Sequence, residues 1–458
     1  MQQGFVELES PPHHEQGVSP GTESGFGPEN APLWPRPAQT QHPMSDTPLP
    51  TADAGSLPPA DHGPTLAVPV AHEPVSRLLP LQFTASGSEY FRIWIVNLLL
   101  IVLTLGFYMP FAKARRLRYF YANTVIDGHP LAFHGDPWKM LRGYVLMLLL
   151  FGGYSLSGHL SSWLSVAVFG LLALLWPALW RSSLRFRLSN TSWRGLRFAF
   201  EGDLKGAYRA MLPLAVPTLL ILVANAIALQ GVDPEDTKAM SDAMLKVAAW
   251  NGGAMLVLMA MLPWSLTQIK RYQHNGYRYA GQVARMLLNP GPVYAIGGIA
   301  FAILLGGLLA IVVLVLLAAA LGGVLGAFAP AGAMVMGGIM MALVFLGYLA
   351  LLFTVQGYFS ARLQNLTWDC TRSQQVCFES DLSALALTRR LLLNLVLTVL
   401  TLGLYRPFAV VAVNRQRLEA MRIELIGRMD GWSVQATAAG PGAAGEMSGD
   451  FFGIDVGL

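Results

Sequence analysis

Residues 97–116 read NLLLIVLTLGFYMPFAKARR, and residues 394–413 repeat the pattern as NLVLTVLTLGLYRPFAVVAV. Each stretch begins as an apolar helix and is then interrupted by Gly, Tyr and Pro. The second copy offers roughly fifteen apolar residues before Arg406 and Pro407, fewer than the ~20 a helix needs to cross the hydrocarbon layer. Proline removes a helix donor and pushes the residue before it away from helical geometry. An irregular backbone survives at membrane depth only where protein or a water-filled cavity covers it. The expected form is therefore a helix that enters from one side, breaks near Gly106 or Gly403, and returns to the same side. The alternative is a full crossing in which Arg406 snorkels to a headgroup.

Composition makes the membrane the solvent. Of 458 residues, 53% are hydrophobic and 13% charged, against roughly 25% charged in a soluble domain. From Met286 to Ala361 there is no Asp, Glu, Lys or Arg, which is room for two spans and a turn. The expected fold is all-α and polytopic, with six transmembrane helices at about 143–160, 161–180, 210–230, 247–268, 293–323 and 334–358. The two broken motif helices make eight hydrophobic segments in all. The loops after residues 111, 180, 269 and 360 are basic, whereas those between the spans of each pair are neutral or acidic. By the positive-inside rule the basic loops are cytoplasmic, and so are both termini if the motif helices double back. The chain starts with no secretory signal, so the first span does the targeting.

Three regions are expected: a Pro/Gly-rich disordered tail over 1–80, a transmembrane domain with internal repeats over 81–429, and a flexible tail over 430–458. The basic loops also resemble one another. Asn123, Thr124, Gly128, Phe133 and Gly135 in the first match Asn190, Thr191, Gly195, Phe200 and Gly202 in the second. Aromatic alternation bounded by Asn, Gly and Asp reads as a short β-hairpin feeding a helix through an Asp N-cap. Repetition of one such unit organises the chain.

The paired N-(x6)-T-L-G-x-Y-x-P-F segments, each near an N-T-x3-G-x4-F-x-G module, resemble the YjgN family of bacterial inner-membrane proteins of unknown function, over about residues 81–429. The resemblance implies a bacterial cytoplasmic membrane and supplies neither substrate nor catalytic residue. Where the family carries Arg before the motif proline the first copy has Met109, so only Arg406 can take an arginine's role.

No nucleotide loop, catalytic triad or metalloprotease helix is present. An enzyme is not indicated, no cofactor or metal is expected, and the net charge of +4 reflects topology and not nucleic-acid binding. The candidate functional residues are those of the motif: Asn97, Thr104, Gly106, Tyr108 and Pro110, with Asn394, Thr401, Gly403, Tyr405, Arg406 and Pro407. Two broken helices in corresponding halves are how discontinuous binding-site helices read in transporters, which suggests small-solute transport. The competing reading is a scaffold whose basic hairpins meet anionic lipid headgroups or a protein partner.

Overall fold

A computed structural model describes residues 76–427 apart from 234 and 329, so residues 1–75 of the expected 1–80 tail and all of the expected 430–458 tail lie outside them. The fold is five copies of one unit, in which two helices form a hairpin flanked by short strands. The first unit is β1 (Ser76–Leu79), β2 (Leu81–Phe83), α1 (Gly87–Leu103), α2 (Met109–Ala122) and β3 (Thr124–Ile126). The second adds β4 (His129–Phe133), α3 (Pro137–Leu160), α4 (Ser162–Ser189) and β5 (Thr191–Trp193). The third is β6 (Leu196–Phe200), α5 (Leu204–Leu229), α6 (Thr237–Asn275) and β7 (Tyr277–Tyr279). The fourth is β8 (Gln282–Val283), β9 (Arg285–Met286), α7 (Pro290–Phe328), α8 (Pro330–Asp369) and β10 (Thr371–Arg372). The fifth is β11 (Val376–Ser380), α9 (Ala384–Leu400), α10 (Arg406–Glu419) and β12 (Met421–Ile426).

Helices α3 to α8 are the six long and apolar enough to cross a membrane among the described residues. Every expected span falls on one of them to within one residue at its ends, and each helix continues past the apolar stretch toward the strands. Ser76–Leu79, which composition places in the tail, are the strand β1.

The strands order the units. One small sheet runs β2-β3-β4-β5-β6-β7-β8 and the other β1-β12-β11-β10-β9; neither closes on itself as a barrel. Two extended segments pass from one sheet to the other. Residues 76–83 pair with β12 through β1 and with β3 through β2, with Pro80 between the two strands. Residues 282–286 pair with β7 through β8 and with β10 through β9. Followed from partner to partner, the strands thus return to their starting point. Leu79, Trp193, Ala280, Ile423 and Leu425 fill the middle of this circuit with one apolar cluster, joined by Ile126, Leu131, Phe198 and Phe378.

The helices follow the same circuit: α2 packs beside α3, α4 beside α5, α6 beside α7, α8 beside α9, and α10 beside α1. In four of the five units a side chain near the end of the second helix ties it to the next unit by donating to a backbone carbonyl just before that unit's first helix. Arg118 reaches Gly135 O at 3.0 Å, Arg181 reaches Gly202 O at 2.6 Å, and Asn365 Nδ2 reaches Leu382 O at 3.1 Å. Arg415 reaches Ala85 O at 2.7 Å, which ties the fifth unit to the first. Hydrogen bonds from a charged donor are each worth roughly 1.5–3 kcal/mol.

All strands lie at the end of the helices where the basic loops are, so the charge rule assigns that face to the cytoplasm. Both ends of the described chain, Ser76 and Gly427, flank strands on this face. We predict that single cysteines at Gly128, Gly195, Gly281 and Gly427, in a background with Cys370 and Cys377 replaced by Ser, label only from the cytoplasmic side. A cysteine at Gly231 labels from outside. Labelling of Gly427 from outside would require one of the motif segments to cross.

Candidate functional site

The first motif copy is an antiparallel helical hairpin. Arg115 Nη1 on α2 donates to Asn97 Oδ1 on α1 at 3.3 Å, and Tyr119 Oη lies 3.0 Å from Ser86 O. Tyr90 stacks on Tyr119. Strands β2 and β3, which enter and leave the hairpin, are hydrogen-bonded neighbours, so the segment returns to the side from which it came. The second copy folds in the same way: Asn394 Nδ2 donates to Ala409 O at 3.4 Å, and β11 and β12 pair. With 17 residues in α1 and in α9, each hairpin is about 25 Å tall, including turns at headgroup level.

The residues of the break explain the motif. Thr104 Oγ1 donates to Leu100 O at 2.7 Å and accepts from Tyr108 N at 3.0 Å; Thr401 does the same with Leu397 O and Tyr405 N. Gly106 and Gly403 sit at φ of +94° and +92°, conformations that side chains resist. Their amides close the first helix by bonding Ile101 O and Thr398 O, the six-to-one bond of a Schellman cap. Pro110 and Pro407 do not break a helix. They lie in the first turns of α2 and α10, where a missing N–H costs nothing. Both prolines are buried. At each tip a leucine faces outward, Leu105 90% and Leu402 94% exposed, as suits a turn set against lipid.

From Thr104 to Met109, and from Thr401 to Arg406, every amide other than those of Tyr108 and Tyr405 donates to a backbone carbonyl, and those two donate to a threonine hydroxyl. No amide is left at either break to hold a solute. What the motif does bring together is the two copies themselves. Phe91 on α1 meets Phe408 on α10, with ring centroids 5.8 Å apart, and Gly87 leaves the space that the Phe408 ring occupies.

The hairpin modules are equally structural. Thr124 and Thr191 hydroxyls donate to Phe120 O and Arg187 O, and the Asn123 and Asn190 amides to Tyr119 O and Phe186 O. These bonds close the preceding helix. Gly128 and Gly195 occupy positive-φ turn positions next to Asp127 and Arg194, the two-residue turn that matches strand twist. The Phe133 and Phe200 rings lie where a side chain at Gly135 and Gly202 would have to go. Asp136 and Asp203 cap α3 and α5 as their sequence position suggests, by accepting from Trp138 N and Gly206 N. In the fifth unit Ser383 is the cap, while Asp381 pairs with Arg422 at 2.8 Å.

Beside the first motif hairpin lies a cavity of about 560 Å³ between α1, α2, α3 and α4. Its wall includes Asn97 and Pro110 of the motif, together with Tyr144 and Trp176 from the neighbouring unit. Lys113 and Arg116 contribute positive charge, and no carboxylate lines it. Arg406, the arginine that only the second copy carries, lies within electrostatic range of Tyr90, which also lines the cavity. Asn97 is thus both a hydrogen-bond partner inside the hairpin and part of the cavity wall.

Sequence reading missed a second basic group. Lys270 on α6 lies within electrostatic range of Arg417 on α10 and Arg187 on α4. Arg417 Nε donates to Gln364 Oε1 at 2.8 Å, and Gln364 Nε2 donates back to Arg417 O at 2.8 Å. The signal was position. Arg187 and Arg417 each precede a strand's first residue by four, and Lys270 precedes one by seven, so the three occupy the last turns of their helices.

Among the described residues no group of His, Cys, Asp and Glu could hold a metal ion. His134 lies 2.8 Å from the Ser192 hydroxyl. Cys370 and Cys377 are free thiols whose pKa values burial raises.

A family model described as a bacterial protein of unknown function (DUF898) matches residues 78–451. A protein of Salmonella typhimurium named inner membrane protein YjgN is 28% identical over 338 residues, 72% of this chain and 84% of its own length. Proteins of that name from Escherichia coli O157:H7 and Escherichia coli K12 are 29% and 30% identical over shorter stretches, covering 32% and 31% of their lengths. No solved structure matches.

The geometry of the breaks predicts that Gly106→Ala and Gly403→Ala each destabilise the protein by about 1–2 kcal/mol, the cost of forcing a side chain into left-handed backbone. Melting temperature of the purified protein in detergent measures this. Unchanged melting in both variants would mean that the tips do not hold the backbone described.

Proposed function

The chain belongs to the DUF898 family of bacterial proteins and is an integral inner-membrane protein, and from that premise we propose that it moves or sequesters a small anionic solute at the cavity beside the first motif hairpin. The observation that carries this reading is the wall of that cavity: Lys113, Arg116 and the Asn97 amide set among apolar side chains, with no lining carboxylate. A pocket with apolar walls and a few convergent polar groups is the usual form of a small-molecule site. Cations held within a bundle's polar interior favour an anionic guest.

The reading moves the functional weight of the motif. Its backbone turns give shape, and its contribution to binding is Asn97 together with the cations that follow the break. Arg406, near Tyr90, extends the positive field of the same wall from the second copy. Asn394, whose amide bonds inside its own hairpin, has a structural task by the same argument.

The scaffold reading has one observation in its favour. The strands present exposed arginines, among them Arg77, Arg197 and Arg285, on the face that carries the basic loops. Lys and Arg beside an anionic leaflet gain ~1 kcal/mol each, which favours lipid contact whatever the purpose. A stoichiometric protein partner retained in mild detergent would favour it further.

The test is flux. In proteoliposomes loaded with a panel of small phosphorylated and carboxylated metabolites, the double variant Lys113→Gln/Arg116→Gln should lose at least about tenfold of any transport or exchange, since removing a charged partner costs on the order of 2 kcal/mol or more. Equal insertion and melting temperature would show that the loss is not one of folding. Flux equal to that of the unchanged protein would remove the cavity from the mechanism.

A further inference from the structure

The cavity beside the first motif hairpin has a direction. On α1 its lining runs from Tyr90 to Ile101, about 16 Å of helix. Both α1 and α3 start at the strands, and Phe151 is as far into α3 as Ile101 is into α1. Trp176 of α4 packs on Phe151, with ring centroids 6.2 Å apart. Ile101 and Trp176 therefore mark the deep end of the cavity, and Tyr90 the end near the strands. Along α2, which runs back toward the strands, Met109 comes first, at the tip, and Lys113 and Arg116 follow. Positive charge thus lies on the cytoplasmic side of an apolar deep end. Lys113 is half-buried and Arg116 exposed.

The wall suits a chain better than a small ion. Three methionines, Met109, Met140 and Met147, join the rings of Trp94 and Trp176 in it. Flexible thioethers conform to irregular apolar guests. An alkyl chain gains ~0.8 kcal/mol for each methylene it buries, and a bare ion gains nothing there. The volume of about 560 Å³ is that of a site for one small molecule, which suits one chain with its head and is small for a lipid with two.

The deep end also opens at hydrocarbon level. Helices α1 and α2 have 17 and 14 residues, and α9 and α10 the same, against 24 and 28 in α3 and α4. Beyond the two short tips the spanning hairpin has no neighbour on that side but lipid. Met109 and Leu98, both in the cavity wall, are 49% and 37% exposed. A chain can therefore enter sideways from the membrane, while a headgroup stays at the level of the cations.

We propose that the guest of this cavity is a single-chain anionic amphiphile from the cytoplasmic leaflet, its acidic head at Arg116 and Lys113 and its chain laid toward Ile101, Met109 and Trp176. The proposal rests on the reading of the cavity as an anion site and names the class of anion. Asn97, whose Oδ1 accepts from Arg115 at 3.3 Å, can donate to the head through Nδ2. A fatty-acid carboxylate and a single-chain phosphate share this chemistry, since both accept charge-assisted hydrogen bonds from Arg and Lys.

The experiment uses the full chain in nanodiscs of zwitterionic lipid. Dodecanoate and dodecyl phosphate are the probes, and acetate and inorganic phosphate their chainless counterparts. Binding is read from tryptophan quenching by probes brominated at the chain end, and from displacement by the unbrominated forms. The dodecyl probes should bind saturably and at least about tenfold more tightly than octyl ones, because more methylenes are buried. Acetate and phosphate should not displace them at the same concentrations. Lys113→Gln/Arg116→Gln should weaken binding at least about tenfold, and Arg116→Gln supplies an independent variant should the double one fail to fold. Trp176→Phe should remove part of the quenching seen at saturation, which places the chain end deep in the cavity. The head that binds more tightly, carboxylate or phosphate, assigns the source. If the chainless ions bind as tightly as the dodecyl probes, and through the same cations, the amphiphile is overturned while the anion site stands. Dodecyl binding that both Gln variants leave unchanged would be partition into the bilayer and would overturn the proposal. Should no chainless ion bind in that case, the anion site falls as well.

Discussion

The pairing of β1 with β12, Ser76 opposite Ile426 through Leu79 opposite Ile423, is the constraint on which the rest depends. It brings the first and last units together, and the Arg415 bond to Ala85 O repeats at that junction the tie used elsewhere in the circuit. A helical hairpin too short to cross a membrane is a poor structure alone, because its turn lies where no water can satisfy the backbone. The structure meets this difficulty twice over. Each tip satisfies its own amides through threonine and a glycine cap, and the two short hairpins stand side by side, each supported by the other and by a longer neighbour. Opening the junction would leave both without one of their walls.

Closure also explains the asymmetry of the bundle. Three units have helices long enough to span and two do not, and the two short ones are first and last in the chain. Consecutive packing makes them neighbours, so the Asn, Thr, Gly and Pro they share are concentrated on one side of the ring. The cavity with Asn97, Lys113 and Arg116 opens between one short hairpin and the first spanning one. Both features follow from one repeated unit whose helix lengths vary while its strand contacts do not.

Much of this was legible in the sequence. Six uninterrupted apolar runs gave the spans, because nothing but lipid tolerates such segments. The doubling back of the motif helices followed from a run too short to cross, although Pro407 starts the returning helix and does not break one. The Asp-Gly and Arg-Gly turns and the Asp136 and Asp203 caps followed from local chemistry that needs no distant partner. The joining of the strands into a circuit was not legible. It is set by pairing between residues such as Leu78 and Glu424, hundreds of positions apart, on strands only four and six residues long with little periodicity to read. Nor could the sequence show that Gly106 and Pro110 serve the turn itself while Lys113 and Arg116 face a cavity, since motif spacing marks where the chain bends and not which atoms remain unpaired.

The most direct test of this account is a cross-link across the closure. With Cys370 and Cys377 replaced by Ser, cysteines at Leu78 and Glu424, which face each other in the β1–β12 register, should form a disulfide within one chain under mild oxidation in native membranes. The account predicts a monomeric species of altered mobility that reverts on reduction. A pair that stays reduced while a control pair at Phe378 and Ile423, opposite each other between β11 and β12, links efficiently would contradict it, as would a link found only between chains.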